Sequence, residues 1–364
     1  MTESVAAIFE GVPGQVTLRR FPTPAPRPGE TLVRVLGCTI CVSDLHSLDG
    51  RRSVPVPTVL GHEIVGEIVA HGADSAPSNL SGVPLQVGQR VTWAIVAPCG
   101  NCFFCRRDLP QKCRQATKFG HEPLRPGYEL LGGMAEHCLL ARGTSLVPLP
   151  ETLSLSEACP ANCATATVAA ALEAAGPLSG RTVCVFGAGL LGLTAAAMVD
   201  VAGGTAIVVD PQAVRRTRAL SFGATAAVTP ADVSDCIASL TDGFGADVVL
   251  ELSGASSTWE PALSLTRIGG RIVLVGAVFP VPAVSFLPEQ LIRRQLTIAG
   301  IHNYAPRHLQ TAVGFLAENH QRYPFDSLVS QWIPLDQVDV ALAAARDPMC
   351  IRIGLSPTGT SSVR

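Results

Sequence analysis

Read by its apolar and polar positions, the chain changes texture near residue 155. Before that point, short runs rich in β-branched residues (VAAIFEG, TLVRVLG, EIVGEIVAHG and QRVTWAIV) are separated by Pro- and Gly-rich turns. Runs of that length between turn signals predict an antiparallel or barrel-like β domain. After it, the helical stretch SEACPANCATATVAAALEAAG leads to the strand TVCVFGAG, a helix and the strand AIVVD. RRTRALSFGA then reads as a helix, DVVLELSG as a strand, the stretch through SLTRIGG as a helix and RIVLVG as a strand. Such alternation predicts βαβ units with a parallel sheet, so the fold class is α/β. Beyond about residue 300 the pattern turns irregular, with one helix over 307–319, a last segment CIRIGLSP and a Thr/Ser-rich end expected to fray.

Composition then narrows the classes of function. The 364 residues suffice for two hydrophobic cores. With 47% apolar and only 15% charged residues, the chain is not a disordered one. Its 27 basic and 29 acidic residues nearly cancel, which gives no pull toward nucleic acid or an anionic membrane. No basic segment precedes a long apolar run at the N-terminus, and no run reaches the about eighteen apolar residues of a membrane span. A reducing cytoplasm is the expected location, where twelve cysteines point to metal rather than to a disulfide framework.

The stretch FGAGLLG sets Gly187, Gly189 and Gly192 in G-x-G-x-x-G spacing between the strand TVCVF and a helix. In that context the first glycine allows a tight turn, the second a close approach of backbone to a pyrophosphate, and the third close packing of helix on strand. The helix that opens with Leu190 and Leu191 then faces the phosphates with unpaired N–H groups and its positive dipole end. Asp210, eighteen residues past Gly192 at the end of AIVVD, is the acid expected on the adenosine ribose hydroxyls. Its charge repels a 2′-phosphate and favours NAD(H), while Arg215 and Arg216 close behind leave NADP(H) open.

Two further clusters point to metal. CGNCFFCRRDLPQKC places Cys99, Cys102, Cys105 and Cys113 at C-x2-C-x2-C-x7-C within a lobe of about residues 95–115. Four thiolates close a tetrahedral site to water and make a structural zinc, with an iron–sulfur cluster as the competing metal. A catalytic zinc instead needs three protein ligands and one exchangeable position. CTICVSDLH offers Cys38 or Cys41, LGHEIVG offers His62 with Glu63 beside it, and CPANCATAT offers Cys159 or Cys163. Spacing alone leaves each cysteine pair open.

Taken in order, GCTICVSDLH, VLGHEIVGEIV, the four-cysteine lobe and the glycine turn resemble the medium-chain zinc-dependent alcohol dehydrogenases over essentially the whole chain. The resemblance implies a GroES-like β domain (1–157 and 301–364) and a Rossmann domain with a doubly wound parallel sheet (158–300), with the active site between them. It implies Cys41, His62 and Cys163 as ligands of a catalytic zinc, hence two zinc ions per chain, with Cys38 and Cys159 as packing. Some branches of the family carry a glutamate or aspartate in place of the third ligand. Ser43 is then the group that takes the alcohol proton and passes it through the cofactor ribose to His46. Asp44 orients a ligating histidine, Glu63 lies near the metal, Thr167 lies near the nicotinamide, and Arg352 in CIRIGL reaches the pyrophosphate. Val42 departs from the family, several members of which carry a basic residue there on the pyrophosphate. Homodimers or homotetramers are implied as well.

At a finer level GCTICVSDLHSLDGRRSVPVPTVLGHEIVG and LPQKCRQATKFGHEPLRPGYELLGGMAEHCLL resemble a branch that accompanies phosphonate catabolism, with relatives acting on cyclitols. The substrate is therefore expected to be small and polar. Arg51 and Arg52 are candidates to contact it, against a solvated basic turn, and Trp93, Phe119 and His121 are candidates for the pocket lining. Two other readings use the same residues: hydride delivery to a conjugated C=C bond, and a non-catalytic NAD(H)-binding redox sensor on the same fold.

Overall fold

The computed structural model describes residues 2–73, 77–278 and 280–357. It divides into two units, one of Met1–Ala166, Asn303–His320 and Phe325–Arg364, the other of Thr167–His302 and Gln321–Pro324. The first division thus comes after Ala166 rather than after residue 157. The reason lies in Asn162, which donates to the Trp93 carbonyl at 2.9 Å and accepts from the Ile64 N–H at 3.3 Å. Those bonds keep the whole segment up to Cys163 on the β unit.

The first unit is organised by a seven-stranded sheet. Its strands run in the order Leu146–Pro148, Arg90–Trp93, Glu63–His71, Thr31–Thr39, Arg352–Ser356 and Val329–Pro334, with His137–Leu140 also paired to Thr31–Thr39. Every pairing is antiparallel except that of the last two strands on the path. Val33, Val35, Ile64, Ile68, Val91 and Trp93 are fully buried between the sheet and its covering loops. Burial of that much β-branched and aromatic surface is the main stabilising term, at roughly 25 cal/mol per Å². Trp93 and Phe119 lie in this core with no exposed surface, so they are packing residues and not a pocket lining. A second sheet joins Glu3–Phe9 to Thr17–Pro22 and Thr58–Val59. Register brings three strand ends together: Thr39 sits opposite Glu63, and Gly354 opposite Thr39.

The second unit is a parallel sheet of six strands. They lie in the order Ala226–Val228, Thr205–Val209, Thr182–Phe186, Ala246–Glu251, Thr266–Leu274 and Thr297–Gly300. Numbered along the chain this is 3-2-1-4-5-6, the order of the Rossmann fold. The expected helix through SLTRIGG ends instead at Leu265, and TRIGG opens the strand Thr266–Leu274. Two consecutive glycines disfavour helix there, and the segment is captured by pairing with Ala246–Glu251 and by the Arg267–Asp247 ion pair at 2.7 Å.

Two other differences concern helices. SEACPANCATATVAAALEAAG is not one helix: Leu155–Ala158 gives way to a 3-10 turn over Cys159–Asn162, and a new helix starts at Ala164. Pro160 removes a backbone donor in that turn, and Cys163, at φ −127°, lies outside both helices. Past residue 300 the chain is more regular than expected. The helix Pro306–Asn319 is joined by the strand Val329–Pro334 and the helix Val338–Ala344, and CIRIGLSP supplies the strand Arg352–Ser356. Most of the Thr/Ser-rich end lies outside the described residues.

The glycine turn joins Thr182–Phe186 to the helix Leu190–Val201. Gly187 has φ +99°, and a Cβ on Gly192 would stand 1.8 Å from the Gly187 carbonyl oxygen. A Cβ on Gly189 would meet nothing within 4 Å. Gly192→Ala is therefore expected to cost about 3 kcal/mol of stability, whereas Gly189→Ala costs less than about 1 kcal/mol. Thermal unfolding of the two variants checks the difference.

Candidate metal centre and nucleotide turn

The first centre is built from the ends of strands. Cys41 follows Thr31–Thr39 and caps the short helix Val42–Leu48, which carries Ser43, Asp44 and His46. His62 immediately precedes Glu63–His71, and Cys163 sits in the break between the two helical segments. The ligand atoms of Cys41, His62 and Cys163 all lie within 4.8 Å of one another. The structure therefore brings Cys41 and Cys163, rather than Cys38 and Cys159, to His62. Cys38 and Cys159 are fully buried in apolar surroundings that push their thiols well above the usual range, which suits packing.

One carboxylate ties these pieces together. Asp44, 1% exposed, accepts from the Cys41 N–H at 2.9 Å and from the Gly61 N–H at 3.2 Å, and its Oδ1 stands 3.1 Å from His62 Nδ1. With Nδ1–H donated to Asp44, His62 Nε2 is turned toward the Ser43 hydroxyl at 3.2 Å. Burial opposes a charged imidazole here, yet Asp44 and the Cys41 sulfur outweigh it and hold the ring's pKa up at about 10. The anionic groups around the ring thus favour a positive charge at this place. Cys41 is held low by a hydrogen bond from the Cys163 thiol, against its burial and with help from Arg352. Two sulfurs, one imidazole nitrogen and a carboxylate behind the imidazole suit zinc with an open fourth position.

Glu63 and Arg352 turn out to be one unit. Arg352 donates through Nε to Glu63 Oε2 and through a terminal nitrogen to Oε1, both at 2.7 Å, and Thr39 Oγ1 donates to Oε2 at 2.6 Å. The guanidinium also donates to the Ile351 carbonyl at 2.8 Å and lies 3.5 Å from Cys41 Sγ. Arg352 is 5% exposed and its donors are directed at protein atoms. This is a different employment from the pyrophosphate contact expected of it. Burial raises the Glu63 pKa while the guanidinium pulls it back, so this acid serves a buried ion pair beside the cluster.

A further ring and a further cation lie near this cluster. His121, 8% exposed, lies with its ring centroid 5.2 Å from that of His62, and its Nδ1 is 2.9 Å from the Phe119 carbonyl. Burial and the charge of His62 keep its pKa well below normal. Arg52 follows the helix that carries Ser43, with its N–H on the His46 carbonyl at 3.0 Å. His46 is half-buried, and burial together with Arg51 lowers its pKa. Val42 is 53% exposed.

The four-cysteine lobe gathers its sulfurs as its spacing predicts. All four lie within 4.8 Å of one another, with Cys102 Sγ 3.5 Å from Cys105 Sγ and 3.9 Å from Cys113 Sγ. Four sulfurs at about 2.3 Å around one tetrahedral ion stand about 3.8 Å apart. A cluster in which each thiolate binds its own iron spreads them further. Backbone N–H groups of Cys99 and Gln115 point at Cys113 Sγ, both at 3.3 Å. The N–H groups of Cys105 and Arg114 hold the Cys102 pKa down at about 6.

In the second unit Asp210, 4% exposed, accepts from the Ala188 N–H in the glycine turn and from the Gln212 N–H, each at 2.9 Å. Arg215 stands 4.0 Å from the same carboxylate, and Arg216 donates to the Asp210 and Pro211 carbonyls. Leu190 and Leu191 open the helix whose N-cap is Gly189. Thr167 falls in the first turn of the helix Ala164–Ala175. Residues that sequence reasoning missed are Thr39, Asn162 and Tyr304, whose hydroxyl donates to the Asn162 carbonyl just before Cys163. They are separated in sequence from what they hold; Thr39 and Asn162 stood within suspect motifs, whereas Tyr304 did not.

A strand–turn–helix glycine turn and two thiol-rich clusters able to hold a metal ion are the marks of a metal-dependent dehydrogenase. Residues 27–151 match the family model for the alcohol dehydrogenase GroES-like domain, and residues 191–318 that for zinc-binding dehydrogenases. The chain is 32% identical to an L-threonine 3-dehydrogenase of Pyrococcus horikoshii over 85% of each chain. A crystal structure of an alcohol dehydrogenase from Thermotoga maritima superposes with a TM-score of 0.91 at 26% identity, covering 98% of this chain and 100% of that one. A putative zinc-binding dehydrogenase from Sinorhizobium meliloti bound to NADP gives 0.85 at 27% identity, covering 98% and 100%. The chain belongs to the zinc-dependent medium-chain alcohol dehydrogenases, a family of NAD(P)-linked oxidoreductases.

Asp44→Asn leaves the side chain's size unchanged and removes its charge. It is expected to weaken zinc at the Cys41 centre about 10–100-fold and to leave the four-cysteine zinc in place. Chelator competition with metal analysis reads both, and Cys159→Ala should keep the zinc content that Cys163→Ala loses.

Proposed function

We propose that this enzyme interconverts a small polar alcohol and its aldehyde or ketone by hydride exchange with NAD(H). The observation that carries the reading is the convergence of Cys41, His62 and Cys163 with Ser43 and Asp44 around one pocket within the first unit. Zinc bound there polarises the substrate oxygen and lowers the alcohol's pKa. Asp44 keeps the His62 ring turned and its Nδ1 protonated. Ser43, at 3.2 Å from His62 Nε2, accepts the substrate hydroxyl proton, and His46 on the same helix is its destination. Glu63 and Arg352 fix the floor beneath Cys41 without leaving an uncompensated buried charge.

The glycine turn and the N–H groups of Leu190 and Leu191 hold the pyrophosphate, and Thr167 lies near the nicotinamide. Asp210 is the basis for preferring NAD(H): a buried carboxylate next to the ribose disfavours a 2′-phosphate, even with Arg215 at 4.0 Å. The four-cysteine lobe holds a second, structural zinc. A homodimer or homotetramer working in the cytoplasm completes the proposal. Among the described residues no helix is long and apolar enough to cross a membrane.

The reading is tested by absorbance at 340 nm with zinc-replete protein, NAD+ or NADH, and a panel of alcohols, polyols, cyclitols and phosphonate aldehydes. Turnover of a polar class is the expected result, and NADH binding with no turnover of any member would count against it. Ser43→Ala and His46→Gln are each expected to lower kcat by about 10²–10⁴-fold. The lowered pKa of His46 fixes the sign of the pH dependence. The neutral ring accepts the proton, so alcohol oxidation should persist below pH 6.5 and fall only when the ring charges. A pH profile of kcat/KM checks this, and His46→Gln should flatten the acid limb.

A further inference from the structure

Pairing between the strands Glu63–His71 and Arg90–Trp93 stops at Gly66 and Val91. Continued in the same antiparallel register, it would set Ile64 opposite Trp93 two positions further on. The side chain of Asn162 stands in that place instead. The Ile64 N–H donates to Asn162 Oδ1 at 3.3 Å, and Asn162 Nδ2 donates to the Trp93 carbonyl at 2.9 Å. The Ile64 carbonyl is filled by the Thr92 hydroxyl at 2.9 Å. Asn162 is 1% exposed, so the strand groups it serves have no water to turn to. One amide thus replaces a rung of the sheet, and the residue that carries it is held against the strand that follows His62.

The next residue is Cys163, and the peptide that joins it to Asn162 is fixed at both polar ends. Its carbonyl accepts from the buried Tyr304 hydroxyl, which itself takes the Ile95 N–H at 3.4 Å. Its N–H donates to the Pro160 carbonyl at 3.2 Å. A peptide plane held in this way sets the direction of the Cα–Cβ bond of Cys163, at φ −127° and ψ −76°. The chain leaves the first unit after Ala166 and returns at Asn303, so Asn162 and Tyr304 stand just inside the two crossings. Without them the place of Cys163 would depend on the helix Ala164–Ala175, most of which belongs to the other unit.

We propose that Asn162 and Tyr304 are positioning residues for Cys163, holding its thiol where Cys41 and His62 converge so that the three ligands are arranged before a metal ion binds. Ligands arranged in advance lose less freedom on binding, and the ion's affinity and coordination geometry then depend on what holds them. The inference deepens the dehydrogenase reading above and rests on its assignment of Cys41, His62 and Cys163 as zinc ligands.

The test uses Tyr304→Phe, which removes one hydroxyl and keeps the ring, and Asn162→Asp, which keeps the shape and an acceptor but loses the donor to Trp93. Zinc affinity at the Cys41 centre is read by chelator competition. The ion of that centre is then exchanged for cobalt, and the thiolate-to-cobalt absorption is recorded. Each variant is expected to bind zinc there about 10–100-fold more weakly, with shifted or weakened cobalt bands and the ion of the four-cysteine lobe unchanged. Ile237→Ala, in the core of the second unit, should lower the melting temperature and leave the cobalt spectrum as it is. Variants that melt earlier yet keep the wild-type affinity and spectrum overturn the proposal, because the two residues then serve only the fold. Should Asn162→Asp fail to fold, Tyr304→Phe decides alone. The ligand assignment fails by a different result: a wild type that takes up metal at the lobe and none at Cys41, His62 and Cys163.

Discussion

A buried carboxylate with three N–H groups on it is the constraint from which the catalytic unit follows. Asp44 joins the backbone at Cys41, the backbone before His62 and the His62 ring itself. Removing an acid of this kind from water costs several kcal/mol unless its lone pairs are filled. Here filling them forces two distant loops into one place. The loop after Thr31–Thr39 and the loop before Glu63–His71 are brought together as much by satisfying this carboxylate as by sheet pairing. The metal ligands inherit their spacing from that requirement.

A second buried pair supports the first. Glu63 and Arg352 meet through two bonds of 2.7 Å with Thr39 as a third partner, directly beneath Cys41. Replacing either partner alone would strand a charge in the core, so the two act as one structural element. Their arrangement also biases the thiol above them, because a fixed guanidinium 3.5 Å from sulfur favours its anionic form. Stability and ligand chemistry are thus served by the same contact.

What was legible in the sequence was what is local. The four cysteines of the lobe, the glycine turn and the parallel sheet announce themselves because spacing and periodicity decide them within a few residues. The choice of Cys41 over Cys38 needed the family resemblance, and the structure supports it through burial and the placement of His62. The segment TRIGG was misread because pairing with Ala246–Glu251 overrode a weak local signal. The break at Cys163 was missed because it depends on Asn162 and Tyr304, whose partners lie far along the chain. The pairing of Arg352 with Glu63 was hidden for the same reason: the two stand 289 residues apart.

That separation has a consequence for the order of assembly. The four-cysteine lobe is complete by residue 113 and draws only on its own neighbourhood. The strand Arg352–Ser356, by contrast, fills an interior position of the sheet between Thr31–Thr39 and Val329–Pro334. A growing chain therefore leaves the ribosome with all four cysteines of the lobe present while the β sheet still has a gap and Glu63 has no guanidinium. The entire nucleotide-binding unit is synthesised in the interval. The second cluster, Cys41, His62 and Cys163, is likewise complete in sequence by residue 163, and only its Glu63–Arg352 support waits for the last strand.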